Sequence, residues 1–103
     1  SSDNVVIFML GTNGIFSEEQ MEDLIEVFPL SQKYFVNVKM PENFQDLVNT
    51  TLESTAAKHD DVHIIDWKSV AISNPEYLEP DKTHLNYKGV EAIRKIIFDA
   101  INK

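Results

Sequence analysis

The chain has 103 residues, enough for one small domain with a single core. Apolar residues make up 43% and charged residues 25%, the balance of an ordered globular chain rather than a disordered one. The net charge of -8 repels phosphate backbones and so argues against nucleic acid as a partner, and the lack of cysteine excludes disulfides, thiolate catalysis and cysteine-based metal sites.

Residues 5–10, Val-Val-Ile-Phe-Met-Leu, are apolar without alternation. That pattern predicts a strand covered on both faces, as in a parallel sheet between helices. The run is too short to cross a bilayer and no signal peptide opens the chain. Export would depend on residues outside it. Gly11-Thr12-Asn13-Gly14 breaks the strand. Ser17 with Gln20 forms a capping-box pattern, and Met21, Leu24, Ile25 and Phe28 give the following helix one apolar face. Pro29 ends that helix. Residues 34–38 predict a second strand, closed by Pro41. Phe44, Leu47, Val48, Leu52 and Ala56 mark a second amphipathic helix, ending near His59-Asp60-Asp61. Residues 62–67 predict a third strand, ending in Asp66-Trp67. A loop with Pro75 and Pro80 leads to Asp81-Lys82-Thr83-His84-Leu85. Asn86 can cap a last helix whose apolar face holds Val90, Ile93, Ile97 and Ile101.

The order β-α-β-α-β-loop-α predicts a three-layer α/β/α domain on a parallel sheet, with about three strands and three main helices. A strand apolar on both faces belongs in a sheet interior, yet here it comes first in the chain. The expectation is that residues 1–103 are the C-terminal portion of a larger domain whose earlier strands cover this one. The alternative is a small three-stranded module that forms a homodimer through strand 5–10.

Two features can carry chemistry. Asp81 precedes His84 by three residues, so its carboxylate can reach the ring on a tight turn and leave the other nitrogen free as a base. Gly11-Thr12-Asn13-Gly14 follows a parallel strand, where ligand sites of such sheets lie, and an asparagine amide can donate to an oxyanion. Each has a plainer reading, as an acidic loop and as a tight turn. Asn37 and Met40 lie at or past the end of the second strand on the same rim. Asn37 is a candidate substrate contact, with local turn bonding as the alternative. Trp67 is read as core. His59 and His63 straddle a helix end and a strand, so a shared metal is not expected, and no cofactor is implied.

Taken together, Gly11-Thr12-Asn13-Gly14 and Asp81-x-x-His84-Leu85, with Asn86 and Gly89 after it, resemble the third and fifth blocks of the SGNH/GDSL hydrolase superfamily. Residues 5–14, 35–41 and 64–67 are most similar to the extracytoplasmic domain of peptidoglycan O-acetyltransferases of Gram-positive bacteria. The resemblance covers essentially the whole chain. It implies the C-terminal part of a flavodoxin-like SGNH sheet. It implies a Ser-His-Asp mechanism with Asp81 and His84 catalytic, and with Asn13, Gly11 and Thr12 around the oxyanion. An acetyl donor and a glycan acceptor follow as substrates, and attachment to the cell membrane through an upstream membrane domain as location. The G-D-S block that supplies the nucleophilic serine does not occur in this sequence, and the second-block glycine cannot be placed. Gly14 replaces the acid found in many hydrolases, in keeping with the acetyltransferase group. The fragment alone is expected to be inactive. A carbohydrate esterase of the same superfamily, or a non-catalytic binding module, are the alternatives.

Overall fold

A computed structural model describes residues 4–9, 17–39 and 44–102. The strands are β1 (Val5–Met9), β2 (Gln32–Val36) and β3 (Val62–Ile65). The helices are α1 (Glu18–Val27), α2 (Phe44–Ala56), α3 (Trp67–Ser73) and α4 (Tyr87–Ile101), with a 3-10 turn at Pro75–Tyr77. All strand pairs are parallel, in the order β1-β2-β3. Among the described residues no helix is long and apolar enough to cross a membrane.

Pleating divides the side chains of each strand between two cores. Phe35 and Val62 face one side and pack with Met21 and Ile25 of α1 and Val48, Leu52 and Ala56 of α2. Phe8 joins them, its ring stacked on Phe35 at 4.5 Å between centroids. Val36 and Ile65 face the other side, against Trp67 and Ala71 of α3 and Ile93 of α4. The predicted three-layer α/β/α arrangement is therefore the one observed.

Local signals explain most of the boundaries. Ser17 accepts from the Gln20 amide while the Gln20 side chain accepts from the Ser17 amide, so the capping box is formed. Pro29 forces Phe28 out of helical geometry, and α1 stops at Val27. The third strand is shorter than expected. Asp66 accepts from the Ser69 amide and caps a helix, so Trp67 opens α3 instead of ending β3. This helix was not foreseen, because seven residues leave too little periodicity to read.

β1 is the least buried of the three strands. It is an edge strand among the described residues, and its burial alternates. Val6 and Phe8 are half-buried, while Val5 (40%), Ile7 (37%) and Met9 (56%) are exposed. Register pairs Ile7 with Tyr34 and Met9 with Val36, so this bare stripe lies on the α4 side of the sheet. Leu47 and Val90, expected on apolar faces, are also exposed.

β2 contains the least expected buried group. Lys33 is wholly buried, and its ammonium donates to the carbonyls of Phe28 (2.6 Å) and Ser31 (2.7 Å) and to Asp61 Oδ2 (2.7 Å). Three acceptors match its three N–H groups, which is what makes a buried ammonium tolerable. The cluster sits at the amino-terminal ends of β2 and β3, away from the rim described next.

Candidate active site at the carboxyl-terminal rim

The segment between the 3-10 turn and α4 folds back on itself. Leu78 and Leu85 form an antiparallel bridge, and the Glu79 amide donates to the His84 carbonyl at 2.8 Å. Asn86 caps α4 by accepting from the Gly89 amide, and its own amide nitrogen donates to the carbonyls of Glu76 and Leu78. Gly89 lies so close to Tyr77 that a Cβ there would stand 2.1 Å from the Tyr77 carbonyl oxygen. The residues around the Asp-His pair thus hold the turn against the helix.

Inside this frame Asp81 and His84 meet as the sequence predicts. His84 Nδ1 lies 2.5 Å from Asp81 Oδ2, while Asp81 Oδ1 accepts from the amides of Thr83 (2.9 Å) and His84 (3.0 Å). The hydrogen bond from His84 and these two amide bonds hold the Asp81 carboxyl down at about 2, against an ordinary 3.8. At neutral pH the carboxylate is an acceptor only, so Nδ1 carries the proton and donates. Nε2 is the ring nitrogen that Asp81 does not engage. It makes no hydrogen bond to a described residue, and the side chain is 72% exposed. Lys82, between the pair, has a left-handed backbone (φ 62°).

Thr83 and Leu85, on either side of His84, face inward. With Met9, Val36, Asn37, Val38, Lys39, Trp67 and Ile93 they line a small cavity of about 60 Å³. The cavity joins the carboxyl-terminal ends of β1 and β2 to the Asp81–His84 turn. Gly11, Thr12 and Asn13 lie outside the described residues, as does Met40. Met9, two residues before Gly11, belongs to the same cavity wall as Thr83.

Asn37 is buried in that wall. Its amide nitrogen donates to Asp66 Oδ1 (2.9 Å) and its oxygen accepts from the Lys68 amide (2.7 Å), joining β2 to the start of α3. Burial pushes the Asp66 carboxyl up, but hydrogen bonds from Asn37 and Ser69, and the Lys68 charge, outweigh it and leave it below its ordinary value. The sequence reading did not single out Asp66, Lys39 or Thr83. Only the helix cap at Asp66-x-x-Ser69 left a trace in the sequence.

His59 and His63 do not face a common point. His59 Nε2 pairs with Glu22 (2.8 Å), and His63 Nε2 with Gln32 (2.7 Å) while its ring packs on Tyr34. Among the described residues no group of three His, Asp or Glu side chains converges to hold a metal ion.

No family model matches the chain. Individual proteins do. A Bacillus subtilis (strain 168) protein named as a candidate peptidoglycan O-acetyltransferase, YrhL, is 38% identical over 96 residues, covering 93% of this chain and 15% of its own length. A candidate O-acetyltransferase of Staphylococcus aureus (strain MSSA476) is 40% identical over all 103 residues, which make up 17% of its length. O-acetyltransferase OatA of Staphylococcus aureus (strain NCTC 8325 / PS 47) is 33% identical over 92 residues, covering 89% of the chain and 15% of that protein. The chain is therefore similar, along nearly all its residues, to a segment of proteins named as O-acetyltransferases, and spans 15–17% of their length.

Proposed function

We propose that this chain forms the base-bearing part of an SGNH-type acyl-transfer site that moves acetyl groups, with muramoyl hydroxyls of peptidoglycan as acceptors. The observation that carries the reading is the Asp81–His84 pair: a 2.5 Å contact that fixes the ring, with Nε2 unbonded among the described residues, at the carboxyl-terminal rim of a parallel sheet. Similarity to proteins named as O-acetyltransferases supports the substrate class.

In this reading a serine supplied from outside these residues attacks the carbonyl of an acetyl ester. His84 Nε2 takes the hydroxyl proton, and Asp81 stabilises the imidazolium. Asn13, with Gly11 and Thr12, stabilises the tetrahedral oxyanion. As the bond to the donor oxygen breaks, the imidazolium returns the proton to that oxygen, leaving acetyl-serine. His84 then deprotonates the acceptor hydroxyl. Its oxygen takes the acetyl group, and the proton returns to the serine. Water as acceptor would make the same site an esterase. None of these steps requires a cofactor. The domain works outside the cytoplasm, attached to the membrane through a preceding membrane domain of the parent protein.

The test is turnover of 4-nitrophenyl acetate and acetylation of a muramoyl glycan by the longer polypeptide that carries this segment. His84→Ala is expected to lower kcat by at least about three orders of magnitude, and the 103-residue chain alone to give almost no turnover. Full activity of His84→Ala, or of the chain alone, would sink the proposal.

One observation favours a second reading, in which the chain is a non-catalytic module. β1, with its exposed apolar stripe of Val5, Ile7 and Met9, is an edge strand among the described residues, and the backbone groups of such an edge can pair with another strand. The pairing strand belongs either to a second copy of the chain or to preceding polypeptide. Upstream coding sequence separates the two functions. A G-D-S block there supports acyl transfer, and a natural start codon immediately before Ser1 supports the module.

A further inference from the structure

Lys39 stands three residues past the end of β2 and belongs to the cavity wall. Its ammonium reaches across the rim and donates to the carbonyl of Lys82 at 3.1 Å. Among hydrogen bonds between described residues, every other bond to residues 81–84 comes from within residues 79–84. Among the described residues, the hydrogen bond from Lys39 is the one that ties residues 81–84 to the end of β2.

The residue it holds is, among the described non-glycine residues, the one with a left-handed backbone. A left-handed conformation is unfavourable for an ordinary L-residue and persists only where its surroundings fix it. Lys82 is fixed on both sides, its amide donating to the Glu79 carbonyl at 2.8 Å and its carbonyl accepting from Lys39. That conformation turns the chain so that Asp81 can accept from Thr83 and His84 at once and still reach Nδ1. If Lys82 relaxed to a right-handed or extended conformation, the chain between the two partners would redirect the imidazole.

We infer that Lys39 is a positioning residue for the base: its bond to the Lys82 carbonyl keeps the turn in the shape that holds His84 with Nδ1 against Asp81 and Nε2 free. This rests on the reading of His84 as the base. Lys39 touches neither the reacting atoms nor the ring. It acts through the turn.

Tautomer populations separate this role from a merely structural one. Nitrogen-15 NMR of the imidazole in the longer polypeptide that carries this segment, at neutral pH, reports which nitrogen carries the proton. The unsubstituted polypeptide is expected to show His84 mainly as the Nδ1–H form. Lys39→Met, which keeps the stem and removes the donor, is expected to shift a substantial share to Nε2–H, with the melting temperature moving by no more than a few degrees. Lys39→Arg, which restores a cationic donor, is expected to recover the original tautomer. An unchanged tautomer in Lys39→Met, or no recovery in Lys39→Arg, overturns the inference. An Nε2–H form in the unsubstituted polypeptide would instead overturn the reading of the Asp-His pair, on which this inference rests. In the same polypeptide Lys39→Met is expected to lower kcat for 4-nitrophenyl acetate about tenfold with KM within twofold, whereas His84→Ala abolishes turnover.

Discussion

Asp81 carries more of the site's order than its exposure suggests. One oxygen fixes two backbone amides and the other fixes the ring, so a single carboxylate sets both the turn and the tautomer. Its titration reports directly on this arrangement. The Asp81 carboxyl, followed by carbon-13 NMR, should titrate near 2, as its depressed value requires. In His84→Ala the largest cause disappears and the midpoint should rise. It should stay below 3.8, because the two amide bonds remain. A midpoint that does not move would mean that the ring contact is not formed. The spacing of this pair was legible in the sequence, since D-x-x-H fits one tight turn. Lys39 was not legible, because its partner is a backbone carbonyl 43 residues away and no residue type signals that.

The elements around the site show how packing fixes what pattern leaves open. Gly89 follows the D-x-x-H-L segment in sequence, and the structure explains it by contact: α4 approaches the 3-10 turn too closely for a Cβ. Alanine is the better helix former by nearly 1 kcal/mol, yet Gly89→Ala should destabilise the chain by about 1–3 kcal/mol, because the obstacle is a backbone oxygen that cannot swing away. Thermal melting checks this, and a gain in stability would contradict the contact. β2 teaches a complementary lesson. The strand was read over residues 34–38, but it spans Gln32–Val36 with Lys33 turned inward. A fully partnered buried ammonium leaves no sign in the sequence. Lys33→Met should cost about 3 kcal/mol, since two carbonyls and Asp61 lose their donor. Chemical denaturation would measure it. β1 marks the limit of reading a strand from its pattern. Six apolar residues in a row state what the strand prefers, not which neighbours stand beside it.

Across the whole molecule α1, α2 and α4 were readable from periodicity and the parallel sheet from the order of the elements, while α3 was not. Acid stability is a property of this scale. Asp61, Asp66 and Asp81 all sit below their ordinary values, Asp61 chiefly through its hydrogen bond from Lys33. A depressed carboxyl contributes stability above its unfolded value and loses it as pH falls through its folded one. The melting temperature should therefore decline as pH drops below about 4. A flat profile down to pH 2 would show that these contacts add nothing to folding.

The two ends of the strands carry different burdens. At their amino-terminal ends lie the Lys33–Asp61 cluster and the His63–Gln32 bond. At the opposite rim lie the Asp81–His84 pair, Asn37 and Lys39. If the rim carries the proposed acyl transfer, robustness and reactivity are separately adjustable. An engineer could harden the chain against heat by redesigning one pole and leave the chemistry at the other untouched, while changes near the turn would trade one property against the other.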